Sequence, residues 1–296
     1  MPTLLMINLK GGVGKTASTV AIAETFAEVG YKTLVIDADH QSMAGELLLG
    51  QSRMLSCEKA HRTLHDVFLA MSDVDFDVHS VANYIIPSSS SVAASRPNLF
   101  VLPCSFRIDD FYSNVFRSKR CCRTFVTERE LGHHLKKQMP KVKKILESIF
   151  DLIIVDCPPS IAMQVKMFLR IADGCIIPSI PDQLSVRGSF NLVQRLKRHK
   201  TNCLGTLWTL YRQQTVLHRE MVLEPFEGLP EPFGSIIPNA SQLAGAVDPR
   251  LVDQPVASCE TKYGKEFSLR YAQLCSEILQ RMKKANIPVP QLAQAA

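Results

Sequence analysis

Lys10-Gly11-Gly12-Val13-Gly14-Lys15-Thr16 separates two segments of different periodicity. Before it, Thr3-Leu4-Leu5-Met6-Ile7-Asn8 is a short apolar run ended by a glycine-rich turn, the pattern of a buried strand over 3–8. After it, residues 15–29 put Val20, Ala23 and Ala27 on one helical face and meet a stop at Gly30. A strand that turns through glycines into a helix brings consecutive backbone N–H groups and the positive helix end to one point. That arrangement suits a phosphate chain, with Lys15 placed to reach β- and γ-phosphates and the Thr16 hydroxyl placed to bind Mg²⁺.

Outward from this turn the chain alternates strand and helix. Further strands are expected at 32–37, 98–102, 151–155, 174–178, 204–210 and 233–237. Helices are expected at 62–70, 132–149, 162–171, 183–199, 215–224 and 263–284. Buried apolar strands alternating with helices imply an α/β fold, a twisted and mostly parallel sheet with helices on both faces. Nothing marks a second domain within 1–296. Residues 71–97, with Ser88-Ser89-Ser90-Ser91 and two prolines, read as an irregular surface excursion, and 287–296 as a frayed tail.

Composition narrows the class. Hydrophobic residues at 46% and charged residues at 21% exclude a disordered chain, a collagen-like fibre and a coiled-coil rod. No apolar run reaches the ~18 residues of a spanning helix, and the first residues carry no secretion signal, so a cytoplasmic protein is expected. Nine cysteines without a C-x-x-C read as reduced thiols packed as small apolar groups. The net charge of +6 is concentrated: residues 117–144 hold ten Lys and Arg against Glu128 and Glu130. A second cluster is Arg195, Lys197, Arg198 and Lys200. Such patches suit an acidic partner, nucleic acid being the commonest.

In detail the loop departs from G-x-x-x-x-G-K-[ST], because residue 9 is Leu and residue 10 is Lys. The variant K-G-G-x-G-K-T closely resembles the deviant Walker A loop of ParA/MinD-type ATPases. Val35-Ile36-Asp37-Ala38-Asp39-His40-Gln41 is similar to the family's Walker A′ segment, with His40 in the usual proline place. Phe150-Asp151-Leu152-Ile153-Ile154-Val155-Asp156-Cys157-Pro158-Pro159-Ser160 resembles its Walker B strand and switch. Ala172-Asp173 to Pro178 and Ser235-Ile236-Ile237-Pro238-Asn239 resemble later family segments, so the likeness covers most of the chain.

The resemblance implies a P-loop fold, ATP and Mg²⁺ as ligands, and slow ATP hydrolysis. Residues 10–17 (Lys10, Gly11, Gly12, Val13, Gly14, Lys15, Thr16 and Ala17) would hold the phosphates. Thr16, Asp156 and Asp39 would serve the metal, and Asp39 would lie near the attacking water, with Asp37 supporting the switch. Pro238 and Asn239 would lie near the adenine. Lys10 would reach across an ATP-sandwich homodimer to the partner's phosphates, where a second cation stabilises developing charge. The ParA branch binds DNA non-specifically and positions a cargo over the nucleoid, releasing when a ParB-like or other adaptor stimulates hydrolysis. Two departures matter. Ala17 lacks the hydroxyl that relatives carry there, and Asn239-Ala240-Ser241-Gln242 lacks the arginines that many relatives use on DNA. Any DNA charge must then come from Arg195 to Lys200, from Arg212 and Arg219, or from the 117–144 cluster.

Other classes fit the sequence less well. A MinD-like membrane ATPase needs a C-terminal amphipathic helix, whereas Ala285 to Pro290 is broken by prolines. An iron–sulfur reductase would use Cys157 and Cys175, neither in a glycine-rich setting. An ATP-dependent dimerisation switch without DNA is the remaining alternative, told apart by whether ATP-loaded protein retards random DNA.

Overall fold

Leu4, Leu5 and Met6 are all fully buried although alternate side chains of a strand point to opposite faces. Such a strand needs cover on both sides. The computed structural model, which describes residues 2–117, 124–199, 201–224 and 226–290, supplies it. In chain order the elements are β1 (Thr3–Met6), α1 (Lys15–Glu28), β2 (Thr33–Asp37), α2 (Met43–Leu49), α3 (Gln51–Lys59), α4 (Leu64–Met71), β3 (Ile86–Pro87), β4 (Leu99–Leu102), α5 (Phe111–Arg117), α6 (Glu128–Ile149), β5 (Leu152–Asp156) and α7 (Met163–Phe168). Then follow β6 (Gly174–Ser179), α8 (Gln183–Leu196), β7 (Asn202–Trp208), α9 (Val216–Leu223), α10 (Ser241–Ala246), α11 (Cys259–Tyr263) and α12 (Lys265–Lys284).

The sheet order is β3-β4-β2-β5-β1-β6-β7, parallel except for the β3 edge. Its two faces bury separate cores. Leu5, Leu34, Ile153 and Ile177 pack with α4 to α8, whereas Leu4, Val35, Ile154 and Ile176 pack with α1, α2, α11 and α12. β1 sits between β5 and β6, and the next strand in sequence, β2, lies on the far side of β5. The crevice where connections diverge opens at the carboxyl ends, where ligands bind in sheets of this kind. Asp37 and Asp156 are the last residues of β2 and β5 and are register partners.

Most expected elements are present, and the departures have local causes. Residues 233–237 do not form a strand. They run beside β7 through single hydrogen bonds, Phe233 N to Thr206 O at 2.9 Å and Ile237 N to Trp208 O at 2.9 Å. Pro232 and Pro238 interrupt the ladder there, since proline has no N–H to give. The 71–97 stretch is not irregular. It carries two 3₁₀ segments and β3, and its serines are structural. Ser88, Ser90 and Ser91 are buried; Ser88 Oγ donates to Leu48 O (2.9 Å) and Ser90 Oγ accepts from Val92 N (3.0 Å). Helices α2, α3, α5, α10 and α11 are additions. The first two fit too few turns between glycines and loops for helical periodicity to stand out. The expected tail at 287–296 starts with a buried Ile287 packed on Gly174, while 291–296 lies outside the described residues.

Among the described residues one buried ion pair ties α1 to the C-terminal region. Glu24 of α1 is fully buried, and its carboxylate accepts from Lys262 Nζ at 2.8 and 3.0 Å. Ser90 and Tyr263 hydroxyls donate to the same carboxylate. Lys262 is 3% exposed, so removing its partner leaves a stranded charge. Glu24→Ala is expected to cost about 3–5 kcal/mol in urea unfolding. Adding Lys262→Met should return part of that loss; a Glu24→Ala unfolding midpoint equal to wild type would refute the role.

Candidate functional site

The turn after β1 is shaped by Gly12 (φ 70°) and Gly14 (φ 72°), both in the left-handed region that other residues avoid. Three side chains brace it. Asn8 is fully buried, donates to Pro178 O (2.6 Å) and Ser189 Oγ (3.2 Å), and accepts from Lys10 N (3.1 Å). Thr209 Oγ1 donates to Val13 O (2.8 Å). Asp156 accepts from Thr16 Oγ1 (2.7 Å) and Thr19 Oγ1 (3.0 Å), clasping the first turn of α1 to the end of β5.

Two buried carboxylates meet at the strand ends. Burial, opposed by the two threonine hydroxyls and Lys15, pushes Asp156 up to about 6. Asp37 is pushed well above the usual carboxylate range, by burial first and by Asp156 second. It is nonetheless held in place, because it accepts from Asp39 N (3.0 Å) and Gly45 N (2.9 Å). Those bonds pin the loop that presents Asp39. Ala38 is clamped as well, its N–H to Asp156 O (2.9 Å) and its carbonyl to Gln164 Nε2 (3.0 Å). His40 stands 3.7 Å from Asp39 and 3.6 Å from Asp109, an open bridge in the place where proline would be rigid. Lys15 is 7% exposed; burial lowers its ammonium below the ordinary value while Asp156 and Asp39 pull the other way.

A cavity of about 460 Å³ opens over this loop, walled by Gly12, Lys15, Thr16, Asp39, His40 and Pro159 among others. A second, apolar slot of about 220 Å³ continues from Gly14 and Ala17 to Pro238, Asn239, Tyr263 and Tyr271. Gly14, Ala17 and Val247 wall both, so the two form one crevice with a polar end and an apolar end. The Asn239 amide oxygen accepts from Arg212 Nε (2.8 Å) and Nη2 (3.0 Å), which fixes that end of the slot.

Lys10 behaves differently from its neighbours. It is not among the cavity's walls. Its Nζ donates to Ser185 Oγ (2.7 Å) and to the Asp182 carboxylate (3.1 and 3.3 Å), across the mouth of the loop on the first turn of α8. The Lys10 side chain stays 34% exposed. Asp182 is lowered against burial by the Ser185 N–H and by Lys10. Its carboxylate is also the α8 N-cap.

The structure therefore sets Gly11, Gly12, Gly14 to Ala17, Asp39, Pro238 and Asn239 around one crevice, buries Val13, Asp37 and Asp156 behind its wall, and sets Lys10 at its lip. Sequence reading missed Asn8, Thr19, Asp182, Ser185 and Thr209. Thr19 was visible one turn beyond Thr16, and Asp182 with Ser185 matches an N-cap pattern; Asn8 and Thr209 act through tertiary contacts alone. Cys175 is the second residue of β6 and pairs with Leu5, so it lies toward the amino ends of the strands, away from Cys157, which follows the end of β5.

A family model described as an AAA domain matches residues 1–207. The chromosome-partitioning ATPase Soj of Treponema pallidum is 27% identical over 288 residues, covering 94% of this chain and 97% of that protein. Cobyrinic acid a,c-diamide synthase of Mycobacterium smegmatis, solved with an ATP analogue and magnesium, superposes with a TM-score of 0.65 at 22% identity, over 99% of this chain and 100% of that one. A McdA variant of Cyanothece in complex with ATP gives 0.65 at 19% identity, over 99% of each chain. With the glycine turn, the paired strand-end carboxylates and the lysine at residue 10 in place, the chain belongs to this AAA-domain family of ParA/MinD-type P-loop ATPases.

Proposed function

We propose that residues 1–296 act as one ATPase domain that binds ATP and Mg²⁺, pairs with a second copy face to face, and couples hydrolysis to positioning a cargo on DNA. The observation that carries this reading is the placement of Lys10. A lysine serving its own nucleotide would line its own cavity, as Lys15 does; Lys10 instead stands at the lip, about a third exposed and turned to Ser185 and Asp182. A cation in that position can serve a nucleotide held by a facing copy.

The donor set suits the metal. Thr16 and Asp156 supply hard oxygens beside the glycine turn, the type of ligand Mg²⁺ takes. When bound there, Mg²⁺ would neutralise phosphate charge. The chain's own groups do the rest. Backbone N–H groups of the loop and the N-terminus of α1 hold the phosphates. Lys15 adds a desolvated cation, and Asp39, held by Asp37 through its N–H, orients the attacking water. Lys10 of the facing copy stabilises charge that develops in the transition state. The apolar slot at Pro238 receives the base.

A partner-stimulated cycle on DNA fits the relatives named for chromosome partitioning. We place the protein in the cytoplasm on the nucleoid, with a ParB-like or other adaptor as the stimulating partner. The membrane-associated alternative is disfavoured at α12, whose apolar residues Tyr271, Leu274, Ile278 and Met282 are buried in the core and so cannot enter a bilayer. Among the described residues no helix is long and apolar enough to cross a membrane.

Light scattering of the purified chain with ATP and Mg²⁺ should show a shift from monomer to dimer. Lys15→Ala should abolish nucleotide binding. Lys10→Ala should keep it, yet lose adaptor-stimulated turnover by at least about tenfold, the equivalent of 1.4 kcal/mol; stimulated turnover at the wild-type rate would count against the facing-copy role. Asp39→Ala should hold the ATP dimer and cut turnover by about 10²-fold, within the range of a positioned acid–base group. Unchanged turnover would remove Asp39 from the assignment.

A further inference from the structure

On α12 and at the end of α8 several charges have a structural task. On α12, Glu266 pairs with Arg270 at i,i+4, Glu277 accepts from Gly234 and Ser235 N–H groups, and Arg281 donates to Leu204, Glu231 and Pro232 carbonyls. At the end of α8, Arg195, Lys197 and Arg198 crowd the last turn, where cations favour the helix dipole and free carbonyls.

Helix α6 differs. Of its three acids, Glu128 and Glu130 sit in the first turn and Glu147 in the last. Thr127 caps Glu130 N (3.2 Å) while Glu130 reaches back to Val126 N (2.9 Å). Its buried side carries Leu131, Leu135, Met139, Val142 and Leu146. One lysine is used internally, Lys143, which pairs with Asp173 (2.7 Å) and Glu147 (3.6 Å). The other four, Lys136, Lys137, Lys141 and Lys144, are exposed, and among the described residues none reaches a carboxylate. With Arg129 they form one stripe at helical spacing. They lie outside the last turn, which holds no base, so the helix dipole does not account for them.

We propose that this stripe is the surface that grips the sugar–phosphate backbone of duplex DNA. The proposal rests on the DNA reading above and names the face for it. From Arg129 to Lys144 the stripe runs about 22 Å along the helix. A duplex presents one charge per ~1.7 Å of axis, so about a dozen phosphates pass over that length. The residues between the lysines are His133, Pro140 and Ser148, with no bulky apolar group among them. A bilayer surface would require such groups beside the lysines, and a protein partner would require aromatic or apolar anchors. Lysines as point charges spaced along a helix suit a repeating anion read without sequence.

The test is fluorescence anisotropy of a mixed-sequence duplex of about 24 base pairs, titrated with the ATP-loaded full chain from ~50 to ~200 mM salt. Changing Lys136, Lys137, Lys141 and Lys144 together to Ala should reduce the slope of log K against log salt by about 3 to 4 and weaken binding at each salt. The same four positions changed to Arg should keep the slope. Arg195→Ala with Lys197→Ala and Arg198→Ala should leave it unaltered. Basal turnover and thermal melting of the four-Ala variant should match wild type, which separates lost contact from lost fold. Wild-type slope in the four-Ala variant overturns the stripe and leaves the DNA reading standing. No duplex binding by the wild type overturns both. Loss of binding to anionic phosphatidylglycerol vesicles with DNA binding intact assigns the stripe to lipid and overturns the proposal.

Discussion

The site depends on one buried carboxylate. Asp156, 1% exposed at the end of β5, accepts from Thr16 and Thr19, two hydroxyls on the same face of α1. An unpaired buried charge would be costly, and these two donors are what make the position tolerable. They also fix the rotation of α1 about its axis. That rotation sets where Lys15 and the glycine turn stand relative to the strand ends. The adjacent Asp37 is handled by a different device, two backbone N–H groups from the loop it organises. Two acids side by side in a core are thus turned into the clasps that hold the loop and helix of a phosphate site.

A second constraint is how the crevice is closed at its far end. Tyr263 and Tyr271 wall the apolar slot, and Tyr263 donates to Glu24, which belongs to α1. Lys262 meets the same carboxylate. The apolar slot and the glycine loop therefore share the N-terminal end of α1, while C-terminal residues anchored on Glu24, further along the same helix, complete the slot. The serine run at 88–91 closes this network from the sheet edge.

Much of this was legible beforehand for a physical reason. Strands buried on both faces must be apolar throughout, so β1, β2, β5 and β6 stand out as runs, and the acids that end β2 and β5, Asp37 and Asp156, stand out as exceptions. The glycine turn is visible because only glycine adopts its backbone angles without strain. Short helices such as α2 and α10 were not visible, since two turns carry too little periodicity. The serines of 88–91 look like loop composition; only the packing of Leu48 and Glu24 against them makes them core. Position 233–237 reads as a strand from its apolar residues, yet prolines on either side deny it a ladder.

Residue types at fixed spacing determined by themselves that this chain is a mostly parallel α/β protein with a phosphate-binding turn, because those features arise from local backbone geometry and strand burial. Tertiary structure alone decided which partners each charged group meets. It turned Lys10 toward Asp182 and Ser185, and it left four α6 lysines facing water while Lys143 was paired. Electrostatic partners are chosen by distances of a few ångströms between segments far apart in the chain, and no one-dimensional pattern encodes those distances.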